Sequence, residues 1–150
     1  MTPRVKYDPF LPDCILCDID GTLAFLGGGR DPYDSSRAME DTINMPVAEI
    51  LEVFKFHRPE ILIIFVTGRH KADYEVTAKW LYEVAGFSGN AIYMRATGDK
   101  RKDSIVKQEL YENHIKGELN VLFVLDDRQQ VVDMWRAIGL TCLQVAPGDF

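Results

Sequence analysis

The chain has 150 residues, 47% of them apolar, enough to bury one core and too few for two comfortable domains. Its 23 acidic and 17 basic side chains leave a formal charge of −6, which excludes a broad, sequence-independent grip on a nucleic-acid backbone; any nucleic acid it handles is held locally, at an end. No apolar run of about 18 residues occurs, and Met1 to Asp13 carries Pro, Lys and Asp instead of an apolar signal core, so the expectation is a soluble, cytoplasmic protein with no membrane partner.

In chain order, the first apolar run, Cys14 to Asp18, reads as a strand. Cys14 and Cys17 have C-x-x-C spacing, but residues three apart on a strand point to opposite faces, so they are read as core thiols and not as a redox or zinc pair; Cys142 gets the same reading. Ala24 to Asn44, including Gly27-Gly28-Gly29-Arg30-Asp31-Pro32-Tyr33-Asp34, shows neither helical nor strand period and is read as a functional loop. Pro46 to His57 is a helix with Val47, Ile50, Leu51 and Phe54 on one face. A strand from Ile61 to Thr67 follows, then a helix from Tyr74 to Ala85 carrying Val76, Trp80, Leu81 and Val84, with Gly86 as its stop. Ala91 to Met94 is a strand, Asp103 to His114 a helix carrying Ile105, Val106 and Leu110, and Val121 to Asp126 a strand. Gln129 to Ile138 is the last helix and Thr141 to Val145 the last strand.

This alternation predicts an α/β fold: a single three-layer domain over residues 1–150 with a largely parallel, five-stranded, Rossmann-like sheet and no large cap domain. No G-x-x-x-x-G-K-[ST] run occurs, so no kinase domain is expected.

Chemistry gathers at the strand ends, where ligands bind in open α/β sheets. The first strand runs into Asp18-Ile19-Asp20-Gly21-Thr22, two carboxylates whose mutual repulsion calls for a hard cation or a shared proton. The second runs into Thr67-Gly68-Arg69, a receptor for phosphate oxygens, and the fourth into Asp126-Asp127-Arg128, another acidic pair. Lys107 lies four residues after Asp103 near a helix start. Asp18, Asp20, Asp126 and Asp127 are therefore the metal candidates, for Mg2+. Plain structural roles compete: Asp20 as a turn residue, Asp103 as the N-cap of its helix, Arg30 and Arg69 as surface arginines. Lys100-Arg101-Lys102 is balanced between a nucleic-acid contact and a solvated turn; Tyr33 suits stacking on a terminal base; Trp80 and Trp135 read as core; His57, His70 and His114 have no ligand spacing.

Asp18-Ile19-Asp20-Gly21-Thr22, Thr67, Lys107 and Asp126-Asp127 occur in the order of the four motifs of the haloacid dehalogenase superfamily of phosphotransferases. Arg30 to Asp34, Thr67-Gly68-Arg69, Gly98 to Asp103, Asp126 to Arg136 and Gln144 to Phe150 further resemble the 3′-phosphatase domain of T-even phage polynucleotide kinase-phosphatase, with different loop lengths before Arg30 and between Arg69 and Trp80. The resemblance implies a Mg2+-dependent polynucleotide 3′-phosphatase acting on DNA or RNA ends, 2′,3′-cyclic phosphates included, in end healing. Asp18 would be the nucleophile, Asp20 the general acid and Lys107 a catalytic cation; Arg30, Thr67, Gly68, Arg69 and Asp103 would serve the substrate side. It also implies self-association and leaves open whether a separate kinase or ligase partner exists. A small-metabolite phosphatase of the same superfamily and a catalytically silent docking module are the competing functions.

Overall fold

The computed structural model describes residues 3–150, so Met1 and Thr2 of the N-terminal stretch read above lie outside it. Among the described residues there are seven strands and four α-helices: β1 (Asp13–Cys17), β2 (Ala24–Phe25), β3 (Thr42–Ile43), α1 (Met45–His57), β4 (Leu62–His70), α2 (Tyr74–Glu83), β5 (Ile92–Arg95), α3 (Asp103–His114), β6 (Asn120–Asp126), α4 (Gln129–Ala137) and β7 (Cys142–Gln144). Five strands form one parallel sheet in the order β5-β4-β1-β6-β7, as expected.

β1 sits at the centre, and Cys14, Ile15, Leu16 and Cys17 are fully buried. Ile15 and Cys17 join the cluster packed by Val47 and Leu51 of α1 and Trp80 and Leu81 of α2. Cys14 and Leu16 join the opposite cluster, with Tyr111 of α3 and Val131 and Trp135 of α4. Each such buried side chain is worth roughly 1.5–3 kcal/mol, so the two apolar faces make a three-layer domain without any covalent help. All three cysteines are free thiols, and burial pushes Cys14 and Cys142 up to about 12, which leaves them inert.

Three expectations are corrected. Ile50, Val84 and Ile105, read as members of the apolar helix faces, are exposed; in α3 the inward stripe is Val106, Lys107 and Tyr111, because a lysine occupies a core-facing position on its way to the strand ends. β4 runs on to His70, with a register break against β5 between Thr67 and His70. The physical reason is Arg95 on β5, whose Nε donates to the Gly68 carbonyl at 2.9 Å and holds the extension in place. The stretch 24–44 has structure of its own: β2 and β3 pair antiparallel, and Ser35–Glu40 forms 3-10 turns that pack against α2. Among the described residues no helix is long and apolar enough to cross a membrane.

Candidate active site

The parallel register pairs Cys17 of β1 with Leu125 of β6, and the Asp18 N–H donates to the Leu125 carbonyl at 2.9 Å, so Asp18 and Asp126 emerge side by side. Carboxylate oxygens of Asp18, Asp126 and Asp127 all lie within 4.8 Å of one another, and all three residues are buried. Lys107 Nζ, itself 1% exposed, lies 2.9 Å from Asp18 Oδ1, 2.9 Å from Asp126 Oδ2 and 3.7 Å from Asp103 Oδ2. Burial and then the Asp126 charge hold the Asp18 carboxyl well above the ordinary carboxylate range, and the same two causes raise Asp127. Burial works against the Lys107 ammonium, but the charges of Asp126, Asp18 and Asp103 outweigh it and hold its pKa well above the usual lysine value.

The acidic pair after β6 is not symmetric. Asp126 Oδ1 accepts from the backbone N–H of Asp127 at 2.9 Å and of Arg128 at 3.4 Å, while Oδ2 accepts from Lys107 at 2.9 Å and from the Trp135 indole at 3.3 Å. Asp127 receives the Thr22 hydroxyl, 3.2 Å from its Oδ1 and also 3.2 Å from Asp18 Oδ2. Gly21 permits this: its φ is +79°, and a Cβ there would stand 2.3 Å from Asp127 Oδ2.

Gly68 does the same for Asp103, whose Oδ1 would be 2.2 Å from a Cβ at that position. Asp103 is not the N-cap of α3; Lys102 holds that place, and the Asp103 carboxylate receives Arg95 Nη2 at 3.2 Å. Arg95 also donates to the carbonyls of Asp99 and Arg101, pinning the 96–102 loop beside the site. Thr67 is buried within β4, just before its register break, and its Oγ1 accepts from the Arg69 N–H at 3.2 Å.

Asp20 stands apart from this cluster and its side chain is 27% exposed, the accessible carboxylate of the motif. Arg69 grips it with Nε on Oδ2 at 3.0 Å and Nη2 on Oδ1 at 2.6 Å, and Arg30 Nη2 adds a bond to Oδ1 at 3.0 Å. Behind the arginines lies Asp41, whose carboxylate is fully buried. It takes Arg30 Nε and Nη2 at 2.8 Å each, Arg69 Nη2 at 3.0 Å and the Gly27 N–H at 3.1 Å. Burial opposes the Asp41 charge, yet the Arg30 and Gly27 hydrogen bonds hold its carboxyl below the usual range. Arg30 and Arg69, expected at the substrate phosphate, are thus both buried and both reach Asp20.

Sequence reasoning missed Asp41, Arg95 and the bridging role of Thr22. Arg101 of the basic run is paired with Asp99 and Glu109, and Tyr33 is fully out in solvent. His70 Nδ1 accepts from the Gly98 N–H, and His114 stacks on Tyr93.

The three converging carboxylates of Asp18, Asp126 and Asp127 suit a hard divalent cation with oxygen ligands. Residues 12–150 match the family described as the polynucleotide kinase PNKP phosphatase domain. A protein of Autographa californica nuclear polyhedrosis virus, provisionally named bifunctional polynucleotide kinase/RNA ligase, is 32% identical over 130 residues, 86% of this chain and 18% of that protein. A solved structure of the Pnkp1/Rnl/Hen1 RNA repair complex contains a chain with a TM-score of 0.90 and 43% identity, matched over 98% of this chain and 46% of its own length. A second structure of the Pnkp1/Rnl/Hen1 complex gives 0.92 and 42% over 100% and 51%. The chain therefore spans about half the length of these structural neighbours and less than a fifth of the viral protein.

Proposed function

The chain belongs to the family of polynucleotide kinase phosphatase domains, and from that premise we propose that it hydrolyses 3′-phosphates, 2′,3′-cyclic phosphates included, at the ends of DNA or RNA, with RNA ends in need of repair the first candidates. The observation that carries the reading is Asp18 at the central strand end, bonded to Lys107 on one oxygen and flanked by Asp126 and Asp127.

In the first half-reaction an Asp18 oxygen attacks phosphorus while the bond from phosphorus to the sugar 3′-oxygen breaks. Asp20, on the accessible side, gives its proton to that leaving oxygen. In the second, a water oxygen bonds to phosphorus, the Asp18–phosphorus bond breaks, and Asp20 takes the water's proton. Lys107 would balance charge on the transferring phosphoryl oxygens, with the Thr67 hydroxyl and the Gly68 backbone as further donors. Asp103 and Arg95 hold Lys107 and the end of β4 in register for that task.

The residues fit Mg2+. Asp18 and Asp127 would hold it together with a carbonyl of the Asp20 segment, while Asp126, with every lone pair engaged, supports Lys107 and the loop. When bound it supplies positive charge at the phosphoryl group and offsets the crowded carboxylates. A ligase, fused or separate, would join the 3′-hydroxyl that results to a 5′-phosphate, and a kinase would supply that 5′-phosphate.

Phosphate release with Mg2+ from matched DNA and RNA oligonucleotides bearing 3′- or 5′-phosphate, beside a panel of sugar phosphates and an Asp18→Asn control, tests this. Asp18-dependent release from 3′ ends is the expected result. Faster release from a sugar phosphate would overturn the nucleic-acid assignment and keep the mechanism, and no release from any substrate would favour a docking module.

A further inference from the structure

The aspartyl-phosphatase reading uses Asp20 as a proton carrier but leaves unexplained a fully buried Asp41 that no motif marks. Asp41 lies in the 24–44 segment, just before β3, and is locked there by more than its carboxylate: its carbonyl accepts the Trp80 indole N–H at 3.0 Å, and its N–H donates to the Ala38 carbonyl. Its two oxygens take three guanidinium N–H groups and one backbone N–H. A buried carboxylate this fully bonded is a fixed post against which planar guanidinium forks can be set.

The forks are almost fully spoken for. Arg30 uses all five N–H donors: Nε and one Nη2 hydrogen on Asp41, the other Nη2 hydrogen on Asp20, and Nη1 on the carbonyls of Asp31 and Asp34. Arg69 uses four, on Asp20, Asp41 and the Thr77 hydroxyl. Arg30 has no N–H left for a phosphate, so a phosphate contact there would require breaking one of these bonds, and Arg69 keeps only one, on the Nη1 that donates to the buried Thr77. Both instead deliver N–H groups to Asp20.

The distribution of those N–H groups on Asp20 is uneven. Oδ1 takes two, from Arg30 and Arg69, and Oδ2 takes one, from Arg69 Nε. A carboxylate oxygen offers about two lone-pair sites, so Oδ1 is filled and Oδ2 keeps one open.

Resting on the phosphatase reading above, we propose that Asp41 is a positioning residue that holds Arg30 and Arg69 as a rigid pair, and that this pair orients Asp20 so that its Oδ2 carries the proton exchanged with the leaving group and the water. Arg30 and Arg69 then serve the acid–base group and not the phosphate.

The test separates proton delivery from phosphate grip. Two oligonucleotides are compared in single turnover with Mg2+: one ends in an ordinary 3′-phosphate, the other in a 3′-S-phosphate, whose bridging sulfur leaves as a thiolate without needing a proton. Asp41→Asn should slow the oxygen substrate by about 10²-fold or more and the sulfur substrate by only a few-fold, and Asp20→Asn should show the same selectivity. Thermal unfolding checks that the variant is folded; if Asn at this site prevents folding, Asp41→Glu, which keeps the charge and displaces the forks by one methylene, takes its place. Equal losses on both substrates, or a raised KM with the oxygen-to-sulfur ratio of the unmodified chain, would overturn the inference while leaving the phosphatase reading intact. An unmodified chain inactive on both would overturn the two together.

Discussion

Two clusters of charge lie next to each other at the strand ends, and they are built on opposite terms. Around Lys107 stand Asp18, Asp103 and Asp126, with Asp127 beside them, so carboxylates outnumber the ammonium they share. Around Asp41 stand Arg30 and Arg69 with Asp20, two carboxylates and two guanidinium groups, each carboxylate bonded to both guanidiniums. The first cluster carries more negative than positive charge, an excess that a divalent cation would offset. The second is neutral and closed. The proposed chemistry needs both kinds: a place where charge is unbalanced, which a metal and the transferring group would complete, and a place where geometry does not move.

The largest expected effect comes from breaking the first cluster at its centre. Asp18→Asn removes the nucleophile and should reduce Mg2+-dependent phosphate release by about 10⁴-fold or more, as losing a nucleophile does in other covalent enzymes. The same substitution relieves carboxylate crowding, so the metal-free variant should unfold at a higher temperature than the metal-free parent, by a few degrees, or about 1 kcal/mol. Lower activity with higher stability in one variant would show that the crowding is stored for function.

Next in size is the response to the cation. Mg2+ at 100 times its dissociation constant should raise stability by about 2.7 kcal/mol, read as an upward shift in the unfolding midpoint. Gly21→Ala should remove most of that shift, because its Cβ would displace Asp127 Oδ2 and the residue would keep a positive φ. Gly68→Ala, which collides with Asp103 and not with the cluster's core, should leave the shift in place. If both variants respond to Mg2+ alike, Asp127 is not a ligand.

The two clusters also answer pH with opposite signs. Asp18 and Asp127 sit above the ordinary value of 3.8, so between that value and their folded ones the native chain binds more protons than the unfolded chain. Stability falls as pH rises through that window. Asp41 sits below 3.8, so its contribution is present above that value and is lost as pH falls through the folded one. Urea midpoints of the chelated protein should therefore decline from weakly acid pH upwards, a decline that Asp18→Asn softens. The fall on the acid side, below about pH 4, should be softened by Asp41→Asn.

How much of this could be read beforehand follows the same division. Asp18, Asp20, Asp126 and Asp127 were legible because strand periodicity delivers them to strand ends, where spacing is a three-dimensional statement, and Lys107 was legible from its place four residues after Asp103 near a helix start. Asp41 was not, because its partners lie 11 and 28 residues away, in a segment whose turns have no period. Arg95 was hidden for a related reason: apart from Asp103, its partners are backbone carbonyls of a loop and a glycine, which leave no mark on residue type. Lys107 shows the converse, a charged residue on the inward stripe of α3 that made the expected buried face, with Ile105 in it, come out rotated.

The smallest effect concerns the basic run beside both clusters. Arg101 is half exposed and paired with Asp99 and Glu109, and its bonds hold the Asp99 carboxyl down at about 2. Exposed pairs of this kind contribute little to stability, so Arg101→Ala should leave the unfolding midpoint nearly unchanged. Its charge is already met within the chain, so the salt dependence of KM on a 3′-phosphorylated oligonucleotide should also stay flat. Lys100 and Lys102 have no such partners among the described residues, and replacing both with Ala should raise KM more at low salt than at high salt if the strand passes on this side. A larger salt effect from Arg101 than from the two lysines would mean that its ion pairs open on substrate binding, and the contrast between closed and incomplete charge would then extend to the rim of the site as a property of the bound state.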